Sequence, residues 1–217
     1  MREITFYLDF VSPYAWLAFA KLPDTLEGIS CHVRYRPVLL GALLQQHGNP
    51  GPAGIAPKRA WTYRHAEWLG QAQGTPLQIP QQHPFNPLPL LRLALACSDD
   101  GCINRFTADA LFRHVWEGGG DALAPERLAA LRTRLAEQLR SDAQAPARAK
   151  ELLRANTDAA LEAGVFGVPT FSVDGHGFFG LDGLPMLGAY LRGEPWFATD
   201  RWDHAAAVPS GLTKGLA

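Results

Sequence analysis

Cysteine is scarce in this 217-residue chain: there are three, at positions 31, 97 and 102. An odd set this small cannot build a disulfide framework, which favours a reducing compartment and a cytoplasmic location. Charge is scarce too, at 19% of residues, and balanced. Twenty Lys+Arg against 21 Asp+Glu leave a formal net charge of −1. That excludes the basic footprint of a nucleic-acid binder and the polybasic patch of a membrane-surface protein. No apolar run reaches the ~18 residues of a membrane-spanning helix. The start, Met1 to Phe10, meets Asp9 too soon for a signal-peptide apolar region, so no secretory leader is expected. What is plentiful is apolar residue, 47% of the chain, enough for a sizeable core. Seventeen prolines and 21 glycines punctuate it.

The punctuation divides the chain into elements. Ile4 to Phe10 is β-branched and aromatic and reads as a buried strand. Ser12-Pro13 then reads as a helix start, with an apolar helix over Tyr14 to Leu22. Ser30 to Tyr35 alternates as a second strand, so the opening is βαβ with parallel pairing. Gly48-Asn49-Pro50-Gly51-Pro52-Ala53-Gly54 is a loop, and Pro76 to Pro89, with five prolines, is a second irregular stretch. Between and after them helices are expected over Pro57–Gly70, Pro89–Cys97, Cys102–Trp116, Pro125–Arg140 and Ala145–Ala163. Val165 to Gly180 reads as strand, Asp174-Gly175 turn, strand, and Leu184 to Arg192 as a last helix. A βαβ start and an αββα end separated by helices alone imply an α/β fold: a thioredoxin-like domain interrupted by an all-helical inserted domain. The expected boundaries are 1–40 and 160–195 for the thioredoxin-like domain and 41–159 for the insertion. Residues 196–217 form a weakly patterned tail, loose or packed on a neighbour.

Two positions carry chemistry in that layout. Ser12 stands where the first strand hands over to a buried helix, the edge at which open α/β sheets bind ligands. A hydroxyl at a helix N-terminus caps the helix and also offers an anion a donor, aided by the helix dipole; the two roles are compatible. Pro169 opens a strand after Gly167-Val168. Taken alone an X-Pro bond is trans, but in this order of elements Val168–Pro169 is expected to be cis. Val168 would then turn its backbone toward a peptide-like ligand. Ser12-Pro13-Tyr14-Ala15 holds no cysteine, so a dithiol cycle there is excluded.

These segments resemble one family. Asp9 to Ala18 (DFVSPYAWLA), Lys58-Arg59, Gly164 to Phe171 (GVFGVPTF) and Phe179-Gly180-Leu181-Asp182 are similar to 2-hydroxychromene-2-carboxylate isomerases and the related kappa-class glutathione transferases. The likeness runs from about Thr5 to Leu191. It implies that the sulfur comes from glutathione, with Ser12 stabilising its thiolate. It implies further that Val168 and Pro169 hold the cysteinyl backbone, Asp182 receives the γ-glutamyl ammonium, and Lys58 meets a carboxylate, with Asn49 nearby. The reaction implied is conversion of a 2-hydroxychromene-2-carboxylate-type aromatic acid to the trans-benzylidenepyruvate by reversible thiolate addition, in a homodimer serving aromatic catabolism.

The chain departs from the family at Leu181, where a polar residue is usual, and at Gly183, where an arginine follows the aspartate. Those departures keep two other readings open: a kappa-like glutathione transferase, and a non-catalytic thioredoxin-fold binding protein. Elsewhere the residues read blandly. Asp182 can be a helix-start charge, Lys58 a solvated lysine, Asn49 a turn residue. Cys97 and Cys102 lack histidines at metal-ligand spacing, and Cys31 reads as core. His83 reads as a structural or surface residue in a loop that could border the cleft. Trp61, Trp68, Trp116 and Tyr14 read as core or cleft wall.

Overall fold

A computed structural model describes residues 1–75, 77–140, 142–209 and 211. The chain opens with β1 (Arg2–Leu8), α1 (Pro13–Thr25) and β2 (Cys31–Pro37). Among the described residues six α-helices follow before the next strand: α2 (Leu40–Gln46), α3 (Ala56–Ala72), α4 (Leu88–Leu95), α5 (Arg105–Trp116), α6 (Pro125–Arg134) and α7 (Ala145–Glu162). A hairpin, β3 (Thr170–Val173) and β4 (His176–Phe179), then leads to α8 (Leu184–Leu191) and α9 (Arg201–Ala206). The strands form a sheet in the order β2-β1-β3-β4. β1 runs parallel to β2 and antiparallel to β3, and β3 and β4 are antiparallel. This is the thioredoxin-like α/β architecture, with α2–α7 interposed between β2 and β3.

The period-2 pattern of β1 decides which layer lies on which face. Ile4, Phe6 and Leu8 are wholly buried in the cluster that also holds Trp16, Leu17, Phe171 and Phe178. Tyr7 points the other way, into a smaller cluster with Val38, Leu43, Ala160, Val165 and Val168. The interposed helices share the larger core rather than building their own. Phe112 of α5 packs edge-on against Phe10 at 5.0 Å and lies 5.2 Å from Phe19.

Several boundaries differ from the sequence expectation. α2 was not anticipated; its start, Leu39, makes no side-chain cap, so it lacks the usual signal. α5 begins at Arg105, not Cys102, because Asn104 caps it, its Oδ1 accepting the Thr107 N–H at 2.8 Å. α6 stops at Arg134 rather than 140: Arg140 is drawn to the end of α4 by its N–H to the Ala96 carbonyl (2.9 Å) and a paired bond to Asp99. Residues 165–168 lie outside the strand. The turn Asp174-Gly175 has φ of 51° and 82°, the left-handed pair that a two-residue hairpin needs. The described tail packs on its own chain, with Trp202 5.8 Å from Phe178 and Phe197 5.2 Å from Tyr190. Pro76 of the irregular stretch, and tail residues 210 and 212–217, lie outside the described residues. Among the described residues no helix is long and apolar enough to cross a membrane.

Candidate active site

Ser12 is the N-cap of α1, extended at φ −93° and ψ 116°, with Pro13 in the first turn. Its Oγ accepts the Ala15 N–H at 3.2 Å, and its own N–H donates to the Asp9 carbonyl at 3.1 Å. The hydroxyl donates to the Val168 carbonyl at 3.4 Å, a long and therefore weak bond. The Val168–Pro169 bond is cis, as expected. The structure thus brings Ser12, Val168 and Pro169 together across 156 residues of sequence. Ser12 is only 6% exposed, so a charge meeting its hydroxyl and the α1 N-terminus would be poorly screened. A hydroxyl proton held so loosely is easily redirected to an anion.

The turn bearing Ser12 is fastened by the end of α5 and by the loop between α3 and α4. The buried Trp116 indole N–H donates to the Phe10 carbonyl at 2.9 Å. His83 Nε2 lies 2.7 Å from the Val11 carbonyl, an acceptor, so that nitrogen carries the proton. The Tyr63 hydroxyl lies 2.9 Å from Nδ1 and 2.8 Å from the His83 carbonyl, so its one proton is shared between these two acceptors. Burial pushes the His83 pKa down, consistent with a neutral ring. Tyr14, two residues after Ser12, has its hydroxyl 3.0 Å from His65 Nδ1 of α3. Its pKa is raised, first by burial and then by the negative charge of Asp182, which places Asp182 within electrostatic reach of the start of α1.

Asp182 is exposed, in the turn between β4 and α8. Gly180, at φ +86°, lets the carboxylate fold back over it. A Cβ on Gly183 would meet the Phe179 carbonyl oxygen at 2.5 Å, so no side chain fits there in this conformation. Leu181 is half-buried and packs on the main core. The two departures from the family pattern are therefore parts of one tight turn. Asn49 and Lys58 make only local hydrogen bonds among the described residues. The Asn49 Oδ1 accepts the Gly51 N–H at 2.9 Å, a turn contact that leaves its NH2 group as the donor. Lys58 is exposed near the start of α3, and no carboxylate among the described residues pairs with it. α3 reaches α1 further along, through the His65–Tyr14 contact.

Two features escaped the sequence. Asp9 is fully buried, and burial pushes its pKa up to about 7. Trp61 and Trp68, expected in core or cleft wall, are 63% and 62% exposed and flank His65 with nearly parallel rings at 5.8 and 6.4 Å. Trp116, by contrast, is core. Cys31, Cys97 and Cys102 are unpaired and half-buried; burial pushes the Cys97 thiol up to about 11. Spacing shows the 61, 65, 68 stripe on one helix face, but not which face the fold covers.

Sheet order, a strand-opening cis proline and a helix start at the end of β1 define a class. The chain belongs to the DSBA-like thioredoxin domain family, which it matches over residues 3–192. Its relatives narrow this to a glutathione-related group of isomerases and transferases. It is 30% identical over 208 residues to 2-hydroxychromene-2-carboxylate isomerase of Sphingobium xenophagum, covering 88% of this chain and 98% of that one. It is 27% identical to glutathione S-transferase kappa 1 of Rattus norvegicus, covering 90% and 92%. A solved 2-hydroxychromene-2-carboxylate isomerase superposes with a TM-score of 0.71 at 23% identity, over 95% of this chain and all of that one. That likeness shows the shared fold.

Proposed function

We propose that the protein is a glutathione-dependent isomerase converting 2-hydroxychromene-2-carboxylate-type aromatic acids to the trans-benzylidenepyruvate. The observation that carries the reading is the buried Ser12 hydroxyl at the α1 N-terminus, loosely held by the residue before a cis proline, in a turn without cysteine. When bound, glutathione would supply the nucleophile, its thiolate adding reversibly so that the ring opens and the former double bond rotates. Ser12 and the N-terminal amides of α1 would stabilise the negative sulfur. One charge-assisted hydrogen bond contributes about 1.5–3 kcal/mol, or roughly one to two pKa units of the thiol. The Val168 backbone, beside Pro169, would pair with the cysteinyl residue, as extended peptides pair with an open edge. Asp182 would take the γ-glutamyl ammonium, and Lys58 a carboxylate with Asn49 beside it.

The exposed face of α3 supports an aromatic acid as the second substrate. Lys58, Trp61, His65 and Trp68 fall at i, i+3, i+7 and i+10, one stripe of the helix. They offer a flat aromatic surface with a cation at one end. The reading also carries a reducing, cytoplasmic setting and a homodimer, which light scattering tests.

The decisive experiment is Ser12→Ala. Turnover should fall about 10- to 100-fold with the fold unchanged by circular dichroism; full activity would refute the assignment. The relationship to the kappa-class transferases favours one second reading, conjugation. Isomerisation leaves free thiol constant while product forms, and conjugation consumes it one for one.

A further inference from the structure

Asp9 makes two bonds that join separate parts of the molecule. Its Oδ1 accepts the N–H of Val11 at 3.2 Å, and its Oδ2 accepts the N–H of Leu40 at 3.0 Å. Val11 immediately precedes Ser12, and Leu40 opens α2, the first of the interposed helices. The Asp9 carbonyl also takes the Ser12 N–H. We propose that Asp9 is a positioning residue whose carboxylate clamps the Ser12 turn to the start of the interposed helices, and that taking up a proton loosens the clamp. The proposal rests on reading that turn as the glutathione site.

The chemistry follows from donor and acceptor counting. An ionised carboxylate only accepts, so both oxygens can receive an N–H. A protonated one carries an O–H, which cannot face a second donor, so one of the two bonds is lost or weakened. Little around Asp9 compensates its charge. α2 has no titratable side chain. On α7, Lys150, Glu151, Arg154, Asp158 and Glu162 are exposed and Arg148 is paired with Asp142. β1 brings the buried Tyr7, and on β2 Arg36 sits beside Cys102. The α1 end contributes Tyr14, and His83 bonds the Val11 carbonyl and Tyr63 rather than the carboxylate. Burial outweighs the backbone N–H groups of Leu40, Val11 and Phe10, so the proton exchanges near neutrality.

The test uses the wild-type protein first. Amide resonances of Val11 and Leu40 are followed by NMR from about pH 5 to about pH 9. The Leu40 amide is the discriminating one, since His83 can perturb Val11 through its carbonyl. We expect Leu40 to shift with a midpoint near 7; a flat Leu40 profile overturns the clamp. In parallel, S-methylglutathione, which has no thiol to ionise, is titrated by calorimetry. Its affinity should weaken about tenfold as pH falls across that midpoint, and Asp9→Asn should bind weakly and without the step. Binding that is present but insensitive to both pH and Asp9→Asn overturns the positioning role alone. No binding at millimolar ligand at any pH overturns the glutathione reading and the positioning role with it, while the Leu40 shift still reports the clamp. If Asp9→Asn fails to fold, the wild-type pH profiles decide.

Discussion

Two strand-to-helix turns frame the candidate site, and they are built on opposite plans. The turn from β1 into α1 is held by side chains: from elsewhere Trp116 on the Phe10 carbonyl and His83 on the Val11 carbonyl, and from within it Asp9, which also reaches Leu40. The turn from β4 into α8 is held by its own backbone. Gly183 closes against Phe179, Gly180 sits at positive φ, and no side chain caps α8. The first arrangement keeps a nearly buried hydroxyl in place. The second presents an exposed carboxylate on a short, tight loop. Where a neutral thiol must be turned into an anion, position and exclusion of water matter most. An already charged ammonium needs only an accessible partner.

Four experiments would break or sharpen that contrast. Trp116→Ala should have the largest effect, because it empties a fully buried site and removes the bond to Phe10. We expect a loss of about 3–5 kcal/mol in urea unfolding; a loss under 1 kcal/mol would show the turn to be self-supporting. Next is the pH dependence from Asp9. Its folded pKa is raised from 3.8 to about 7, so the folded state keeps a proton that the unfolded chain releases. Its contribution is therefore full below about pH 4 and is lost as pH rises through 7, by roughly 4 kcal/mol in all. The difference between wild type and Asp9→Asn across that range isolates it, and an equal slope in both would contradict the assignment. Gly183→Ala should cost about 1–3 kcal/mol through overpacking against Phe179, measured by thermal unfolding. Asp182→Asn should be smallest, weakening glutathione about two- to fivefold because the carboxylate is exposed. Added salt should shrink even that difference.

The contrast also explains what could be read from the chain alone. Local signals were legible: Ser12-Pro13 as a cap, Asp174-Gly175 as a turn, the β-rich ends against the helical middle. So was the likeness that singled out Val168, Pro169 and Asp182. Whatever depended on a distant segment was not. Asp9 looks like an ordinary strand-end carboxylate until Leu40 is placed over it. Trp61 and Trp68 cannot be told from core tryptophans such as Trp116 by spacing, because only packing decides which stripe of α3 is covered. α2 was invisible for a different reason: with no capping side chain, its short leucine-rich run is stabilised by the face it lays against the sheet.

The bond between Ser12 and Val168 joins the two ends of the fold, and β1 pairs with β3 across a still longer stretch of sequence. A growing chain emerging from the ribosome therefore holds Ser12 long before its counterpart exists. Closing so long a loop carries an entropic cost that contacts within the intervening helices must first reduce. The cleft should be among the last parts of the molecule to form. A tripeptide that binds there would act as a ligand of the finished protein only, and its binding would report the completion of folding.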